Sequence, residues 1–383
     1  MRVYLDHNAT SPLRPEARDA MIAALDASGN ALSVHADGRR ARATIEHARR
    51  QVAGVVGSGG DDLVFTSGAS EANALALRGA VQGAAAAGTR ITRLIVSAIE
   101  HDSVRAMAAL CEETVPGLRV AVCPVTSAGV IDLPALRGLL NEGKGRALVS
   151  LMAANNETGV IQPVAEAASI ARAAGSLVHC DAVQAVGKIA VTCVALGVDY
   201  LTFNAHKFGG PQGVGALVVR SGAPLMPQIR GGGQELGRRA GTENVAAIAG
   251  FGAAIEAAER CRLNANWRAE LERKLLSAVP RAVVFGAESS RLPNTVCIAA
   301  PGVPSENIVI ALDLDGFSVS AGAACSSGKV TQSHVLTAMG AEPRLAESAI
   351  RVSFGWNSSE QDLGAFADAW IKIVRRADAR AAA

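Results

Sequence analysis

Short apolar runs alternate with helix-like stretches rich in Ala, Leu and Arg between residues 63 and 219. Such alternation is typical of a mainly parallel sheet that is buried on both faces by helices. The predicted strands are Leu63–Thr66, Leu94–Ser97, Arg119–Cys123, Ala147–Ala153, Leu177–Cys180, Tyr200–Phe203 and Gly215–Val219. The predicted helices between them are Glu71–Ala86, Ser103–Glu113, Pro134–Asn141 and Val164–Ala174. The pattern predicts an α/β protein with a seven-stranded sheet, whose ligands bind at the carboxyl ends of the strands.

A different pattern follows the glycine-rich segment Gly231–Gly233. It predicts one long helical stretch over Glu243–Val279, ended by Pro280, and then a small mixed sheet with two helices. The strands of that sheet are Val283–Phe285, Thr295–Ala299, Phe317–Ser320 and Ile350–Phe354, and the helices are Ser305–Leu312 and Gln361–Ala377. We therefore predict a large domain over residues 13–255 and a smaller α+β domain over residues 256–383, against which an N-terminal segment, residues 1–12, packs.

Composition narrows the class of protein. The 383 residues are 49% hydrophobic and 19% charged, so the chain can bury a sizeable core. Lys and Arg number 37 against 35 Asp and Glu, and this near balance makes a nucleic-acid partner unexpected. No apolar run is long enough for a membrane span, and the first residues, MRVYLDHNATSP, do not resemble a signal peptide. We expect a cytoplasmic protein that has no membrane partner.

The seven cysteines are an odd number and form no CxxC pair, so neither a disulfide scaffold nor an intrinsic metal site is expected. Six of them lie among Val, Ala or Leu and are predicted to be small core residues. Cys325 is different, because it follows an apolar strand within a run of Gly, Ala and Ser. We predict that this run is a mobile loop and that Cys325 is reactive; the alternative, a small buried cysteine, is disfavoured by the flanking Ser326 and Ser327.

Three segments carry candidate chemistry. In VFTSGASEANALAL, a strand leads through a turn of small residues into a helix, whose N-terminus favours a single phosphate. Taken alone, that segment is better explained by a plain Ser N-cap with Glu71 in the first turn. Asp181 directly follows a buried strand, and it could equally cap the next helix. Lys207 is one of only six lysines and lies between two strand-like runs, where desolvation would lower its pKa and make it nucleophilic.

Pyridoxal phosphate chemistry requires three groups together: a phosphate-binding turn, a carboxylate for the pyridinium nitrogen and a lysine that forms a Schiff base. With these residues in view, the chain resembles the cysteine desulfurases of the class V aminotransferase group, within the type I fold of pyridoxal-phosphate enzymes. Ten segments in order carry the resemblance. They are YLDHNATSP, FTSGASEANAL, EHDSV, NNETGVIQP, HCDAVQAVGK, AHKFGGPQGVGAL, GGGQELGRRAGTEN, LPNTV, SAGAACSSG and IRVSFG.

The resemblance implies a role for each matching residue. For the cofactor, Lys207 binds it covalently and Asp181 pairs with its ring nitrogen, while Gln184 and Asn156 bind its phenolic oxygen. Its phosphate is held by the Ala69 N–H, Ser70, Asn204 and His206, with Thr242 supplied by the partner of a homodimer. His101 stacks on the ring and helps to move protons. Arg351, assisted by Asn30, binds the substrate carboxylate, and Cys325 accepts the sulfur.

Two of these positions depart from the common pattern of the family. Ser70 replaces the usual Thr and keeps the hydroxyl, whereas Asn204 replaces the usual Ser with a bulkier amide, which makes that phosphate contact the least secure. Nine residues separate Cys325 from Val335, which resembles the longer-loop desulfurases that pass sulfur to protein scaffolds. Cys325 could then be a transient iron–sulfur ligand.

The resemblance thus implies conversion of L-cysteine to L-alanine, with sulfur carried on Cys325 toward iron–sulfur cluster assembly. Lys207 or His101 would take the substrate's Cα proton. Alternatives within the fold are a selenocysteine lyase or another aminotransferase of the family. An alternative of another class is a sulfur carrier with a vestigial site, but that would require the loss of Lys207 or Asp181, and both are present.

Overall fold

The computed structural model describes residues 2–143, 145–260, 263–321 and 332–381. The strands within these ranges are β1 Val3–Tyr4, β2 Leu63–Thr66, β3 Ile91–Ser97, β4 Arg119–Cys123, β5 Arg146–Met152, β6 Leu177–Asp181, β7 Tyr200–Asn204, β8 Gly215–Val219, β9 Val283–Val284, β10 Thr295–Ala299, β11 Phe317–Ser318, β12 Ser320–Ala321 and β13 Ala349–Ser353. The α-helices are α1 Pro15–Leu25, α2 Ala36–Val55, α3 Ala69–Ala86, α4 Asp102–Thr114, α5 Leu133–Asn141, α6 Val164–Ala173, α7 Cys193–Leu196, α8 Val245–Arg260, α9 Ala265–Ala278, α10 Ser305–Leu314, α11 His334–Ala338, α12 Pro343–Ala346 and α13 Glu360–Ala381.

A seven-stranded sheet, in the order β2-β8-β7-β6-β5-β3-β4, forms the centre of the larger part of the molecule. Strands β4, β3, β5, β6 and β7 pair in parallel, whereas β8 runs antiparallel to both of its neighbours. Helices connect the parallel strands, because a parallel pair needs a crossover longer than a tight turn. The predicted α/β class and the mainly parallel seven-stranded sheet are confirmed.

Both faces of this sheet are covered, as the continuous apolar runs predict. Successive side chains of a strand point to opposite faces. In β3, Leu94 and Val96 therefore belong to the core beneath α3 and α4, whereas Ile95 belongs to the core on the other face, which α2, α6 and α8 cover. This leaves the carboxyl edge of the parallel strands as the place where polar residues converge.

The four strands of the smaller part, in the order β12-β13-β10-β9, all pair antiparallel. The predicted mixed character comes only from the N-terminal segment, where Asp6 forms a parallel bridge with Ser353 of β13. The predicted strand Phe317–Ser320 divides at Val319, and its first half, β11, leaves this sheet to pair in parallel with β1. An apolar run does not reveal which neighbour each of its halves will bond.

The single helix predicted over Glu243–Val279 was wrong, because α8 ends at Arg260 and α9 begins at Ala265. Asn264 has an extended backbone, and its side chain accepts a hydrogen bond from the N–H of Asn266, so it caps a new helix. Helix α8 packs against α1 and α2, whereas α9 packs against α13. The two helices thus belong to different cores.

The N-terminal strand joins the smaller part, since β1 pairs with β11, and Leu5 lies in the core built from α9, α10 and α13. The exact domain boundaries stay a prediction. Among the helices that the structure describes, none combines the length and the apolar character needed to cross a bilayer.

Candidate active site

A cavity of about 680 Å³ opens at the carboxyl edge of the large sheet. Its walls come from the ends of β2, β5, β6 and β7, the first turns of α3 and α4, the N-terminal segment and β13. Ten of the residues singled out in the sequence line it. They are Ala69, Ser70, His101, Asn156, Asp181, Gln184, Asn204, His206, Lys207 and Arg351.

The N-terminus of α3 forms one end of the cavity. Gly68, not Ser70, occupies the N-cap position, so the plain Ser-cap interpretation was wrong. A Cβ on Gly215 would lie 2.6 Å from the carbonyl carbon of Gly68, so only glycine lets β8 approach this turn. Asn204 stands beside it with a buried Oδ1 that has no hydrogen-bond partner among the described residues. Helix N–H groups, hydroxyls and an unsatisfied amide fit a phosphate.

Asp181 lies at the end of β6 and is fixed on both carboxylate oxygens. Its Oδ1 accepts from the N–H of Val183 at 3.0 Å, and its Oδ2 accepts from Nδ2 of Asn73 at 2.9 Å. The helix-cap interpretation of Asp181 was wrong, because a turn follows β6 and Thr192 caps the next helix, α7. The carboxylate lies at the cavity wall.

Lys207 reaches the cavity from the turn after β7. Its Nζ donates to the backbone carbonyls of Asn8 at 2.7 Å and Ala9 at 2.8 Å, so the N-terminal segment positions the amine. The neighbouring His206 shares a hydrogen bond with Thr10 through Nδ1. Burial, together with the nearby Lys207 cation, lowers the pKa of His206 to about 4, so this ring is neutral at physiological pH.

A second lysine, Lys188, lies fully buried behind the cavity, and its role was not foreseen. Its Nζ donates to Oε1 of Gln184 at 2.6 Å and to Oδ1 of Asn8 at 2.7 Å. Because Lys188 can only donate, the Gln184 oxygen must face it, and the Gln184 amide group is the end that remains to donate elsewhere. Burial, and then the charges of Lys207 and Arg351, hold the pKa of Lys188 well below its usual value.

Arg351 belongs to β13 and is only 2% exposed, so it is not a surface cation at a strand edge. One of its terminal nitrogens pairs with Asp6 at 2.8 Å and with the hydroxyl of Ser320 at 3.1 Å, and the other donates to the Asn156 carbonyl. Its Nε is buried with no hydrogen-bond partner among the described residues. A fixed, partly unsatisfied guanidinium suits a carboxylate ligand.

His101 is the N-cap residue of α4 and also lines the cavity. Glu100, which precedes it, is completely buried. Burial and then the charge of Asp181 raise the pKa of the Glu100 carboxyl well above its usual value. Its Oε1 accepts from the N–H of Met152 at 2.7 Å. This buried carboxyl therefore supports the wall beside His101.

Two predicted residues are not brought into the cavity by the structure. Asn30 and Thr242 are exposed and do not line it. Thr242 is not the cap of α8 either, because Asn244 accepts from the N–H of Ala247 at 3.1 Å. Cys325 lies outside the described residues.

The described cysteines fall mostly in the core, as predicted. Cys111, Cys123, Cys180 and Cys297 are buried, and Cys193 is half-buried. Burial raises the pKa of every one of these five thiols, to about 12 for Cys123 and about 11 for Cys193. These thiols are therefore poor nucleophiles at neutral pH. No group of three His, Cys, Asp or Glu side chains suited to a metal occurs in the part of the chain that the structure describes.

One cavity at the edge of a mainly parallel sheet thus brings together a lysine, a carboxylate at a strand end and a helix N-terminus. This arrangement defines the site of a type I pyridoxal-phosphate enzyme. Residues 3–366 match the family described as aminotransferase class-V, and the chain belongs to that family.

Named relatives of the chain agree with this assignment. The chain is 44% identical, over 94% of its length and 92% of the relative's, to a cysteine desulfurase of Cereibacter sphaeroides. Among solved structures, a NifS-like protein superposes with a TM-score of 0.88 at 35% identity, covering 98% of this chain and all of that one. A second, SspA in complex with cysteine, superposes with a TM-score of 0.81 at 27% identity and covers 92% and 99% of the two chains.

Proposed function

We propose that this protein is a pyridoxal-phosphate-dependent cysteine desulfurase. It converts L-cysteine and an enzyme thiol to L-alanine and an enzyme persulfide. The relatives named as cysteine desulfurases, and the cysteine bound by a structural neighbour, support this substrate. When bound, pyridoxal phosphate supplies an electrophilic aldehyde and an electron-accepting ring.

The observation that carries the proposal is that Lys207, Asp181 and Arg351 meet in one cavity beside the N-terminus of α3. The residues present fit the cofactor. The unsatisfied Oδ1 of Asn204 marks an amide that can turn its N–H₂ toward a phosphate, since the two ends of an amide are interchangeable in shape. The glycine pair Gly68 and Gly215 keeps the space that a phosphate needs.

Each part of the cofactor and substrate is assigned to particular residues of this chain. Ala69, Ser70, Asn204 and His206 would hold the phosphate, and Asp181 would pair with the ring nitrogen. Gln184 and Asn156 would bind the phenolic oxygen, and His101 would pack against the ring. Lys207 would hold the cofactor covalently through its Nζ. Arg351, held in place by Asp6, would bind the substrate carboxylate with help from Asn30.

Cys325 is the proposed sulfur acceptor. Because the described thiols are buried and have raised pKa values, none of them competes well with a reactive loop cysteine. We propose that the persulfide supplies an iron–sulfur scaffold protein, that Cys325 ligates iron only transiently, and that the enzyme is a homodimer in which Thr242 reaches the partner's phosphate. The cytoplasmic location stays the prediction made from the sequence.

Alanine and sulfide release test the proposal directly. Purified protein loaded with pyridoxal phosphate should produce both from L-cysteine in the presence of a reductant. Lys207→Ala should lose both products, whereas Cys325→Ala should still bind L-cysteine, as seen in the cofactor spectrum, but release no sulfide. Turnover by Lys207→Ala at the parent rate, or full alanine production by Cys325→Ala, would overturn the proposal. A selenocysteine lyase would instead prefer selenocysteine by a large factor in kcat/KM, and an aminotransferase would survive loss of Cys325.

A further inference from the structure

The ring of His101 is held at one nitrogen by two donors from the same residue. The backbone N–H of Ser103 donates to Nδ1 of His101 at 3.1 Å, and the Ser103 hydroxyl lies 2.9 Å from the same nitrogen. A backbone N–H can only donate, so Nδ1 must offer its lone pair and cannot carry a proton in this arrangement. In a neutral imidazole the proton is then on Nε2.

The direction of the hydroxyl is fixed by a residue on another helix. Asn73 of α3 uses its Nδ2 group twice, donating to Oδ2 of Asp181 and to the hydroxyl oxygen of Ser103, both at 2.9 Å. The carboxylate of Asp181 requires a donor, so the Asn73 amide cannot be turned around. Since the Ser103 oxygen accepts from Asn73, its hydrogen is directed to His101. Asn73 is 0% exposed, so water does not compete for these bonds.

We propose that Ser103 and Asn73 are positioning residues that hold His101 as the neutral tautomer protonated on Nε2. This inference rests on the proposed function for its chemical meaning. A ring nitrogen that already carries a proton cannot take the Cα proton of cysteine, so that proton goes to the Nζ of Lys207. His101 contributes by stacking and by donating a hydrogen bond from Nε2. The hydrogen bonds from Asp181 through Asn73 and Ser103 also link this tautomer to the carboxylate that is proposed to pair with the cofactor ring.

Nitrogen NMR of the holoenzyme with ¹⁵N-labelled histidine tests the tautomer independently of turnover. Long-range proton–nitrogen correlations distinguish a ring nitrogen that carries a proton from one that accepts a hydrogen bond, and His101→Gln identifies the His101 signals among the seven histidines. Near neutral pH we expect an accepting Nδ1 and a protonated Nε2 for His101. A proton on Nδ1, or on both nitrogens, would overturn the inference.

Two variants test the positioning residues themselves. Ser103→Ala and Asn73→Ala remove or redirect only the hydroxyl donor and keep the Ser103 backbone N–H. Each should therefore shift only part of the His101 population toward the form protonated on Nδ1. Thr114→Ala, at the far end of the same helix α4, is the matched control and should leave the His101 signals unchanged. Wild-type His101 signals in both test variants would show that Ser103 and Asn73 do not set the tautomer.

The proposed function and the proposed tautomer of His101 can be tested separately. If the holoenzyme makes no alanine from cysteine but His101 shows a protonated Nε2, the proposed function is wrong and the tautomer assignment stands. If an active desulfurase shows His101 protonated on Nδ1, the function stands and the tautomer inference is wrong.

Discussion

Lys188 is a second lysine beside Lys207, and it is buried without a carboxylate partner in its described contacts. It donates instead to Gln184, the residue proposed to bind the cofactor, and to Asn8, whose carbonyl accepts from the amine of Lys207. A buried cation is costly unless its hydrogen bonds are complete, so such a residue is expected to act through the groups it orients.

Lys188→Met should therefore weaken cofactor binding. The variant keeps the length of the side chain but removes the donor to Oε1 of Gln184 and the shorter of the two contacts to Oδ1 of Asn8. Gln184 is then held only by its Nε2 bond to the Asn8 carbonyl. We expect the dissociation constant of pyridoxal phosphate to rise about tenfold, equivalent to ~1.4 kcal/mol, measured by absorbance titration. Lys372→Met, on the exposed face of α13, is the control. Parent affinity in Lys188→Met would mean that Lys188 only fills space.

Among single residues, Lys207 could be predicted from the sequence because lysine is rare in this chain. Asp181 could be predicted because it directly follows a buried strand. Lys188, Asn73 and Ser103 were not predicted as part of the site. Asn73 meets Asp181 across 108 residues of chain, and nothing near Asn73 in the sequence marks that partner. The rarity of lysine was a usable signal for Lys188, since only six occur in the chain.

Three adjacent strands share a buried polar contact at His179. The ring of His179, in β6, lies 2.8 Å from the Ser150 hydroxyl of β5 at Nδ1 and 3.0 Å from the Thr202 hydroxyl of β7 at Nε2. Burial lowers the pKa of His179 from 6.5 to about 4, although the charge of Asp181 opposes the shift. The strands are thus linked by a histidine that is neutral while the protein is folded.

Unfolding should therefore become easier in mild acid. Below pH 6.5 the unfolded chain protonates His179 while the folded chain does not, so this contribution to stability is present above pH 6.5 and is lost as the pH falls toward about 4. The loss should reach on the order of 3 kcal/mol. His179→Gln should flatten the dependence of unfolding free energy on pH in denaturant titrations, and the exposed His47→Gln should not. Equal slopes for all three proteins would contradict the assignment.

The elements themselves were largely predictable. All seven strands of the large sheet were located from apolar runs, because burial on both faces leaves a continuous hydrophobic signal. The break between α8 and α9 was missed because the surrounding residues favour helix and a single asparagine caps the second helix. The pairing of β11 was missed because the partner, β1, lies at the other end of the chain.

At the scale of the whole molecule, the loop of residues 231–244, which precedes α8, carries Thr242, the residue proposed to reach the partner subunit. Arg49 and Glu235 form a buried two-point ion pair at 2.9 and 2.8 Å, and Glu235 also accepts from the N–H of Phe65. Glu235 and Leu236 both have positive φ, which few residues other than glycine adopt, so the pair holds the loop in a demanding conformation. Leu236 is left 66% exposed.

Mixed dimers can decide whether Thr242 on this loop serves the partner's site. Thr242→Val should weaken cofactor binding about tenfold by removing a hydrogen bond to a charged phosphate. Differently tagged Thr242→Val and Lys207→Ala subunits, refolded together and purified as hybrids, contain one site with an intact Lys207. If the hydroxyl comes from the partner, that site receives Thr242 from the Lys207→Ala subunit. It should then bind pyridoxal phosphate with wild-type affinity, measured as one lysine-bound cofactor per dimer. If Thr242 serves its own subunit, the same site should keep the weakened affinity of Thr242→Val. A fully active monomer in sedimentation would contradict the shared site outright.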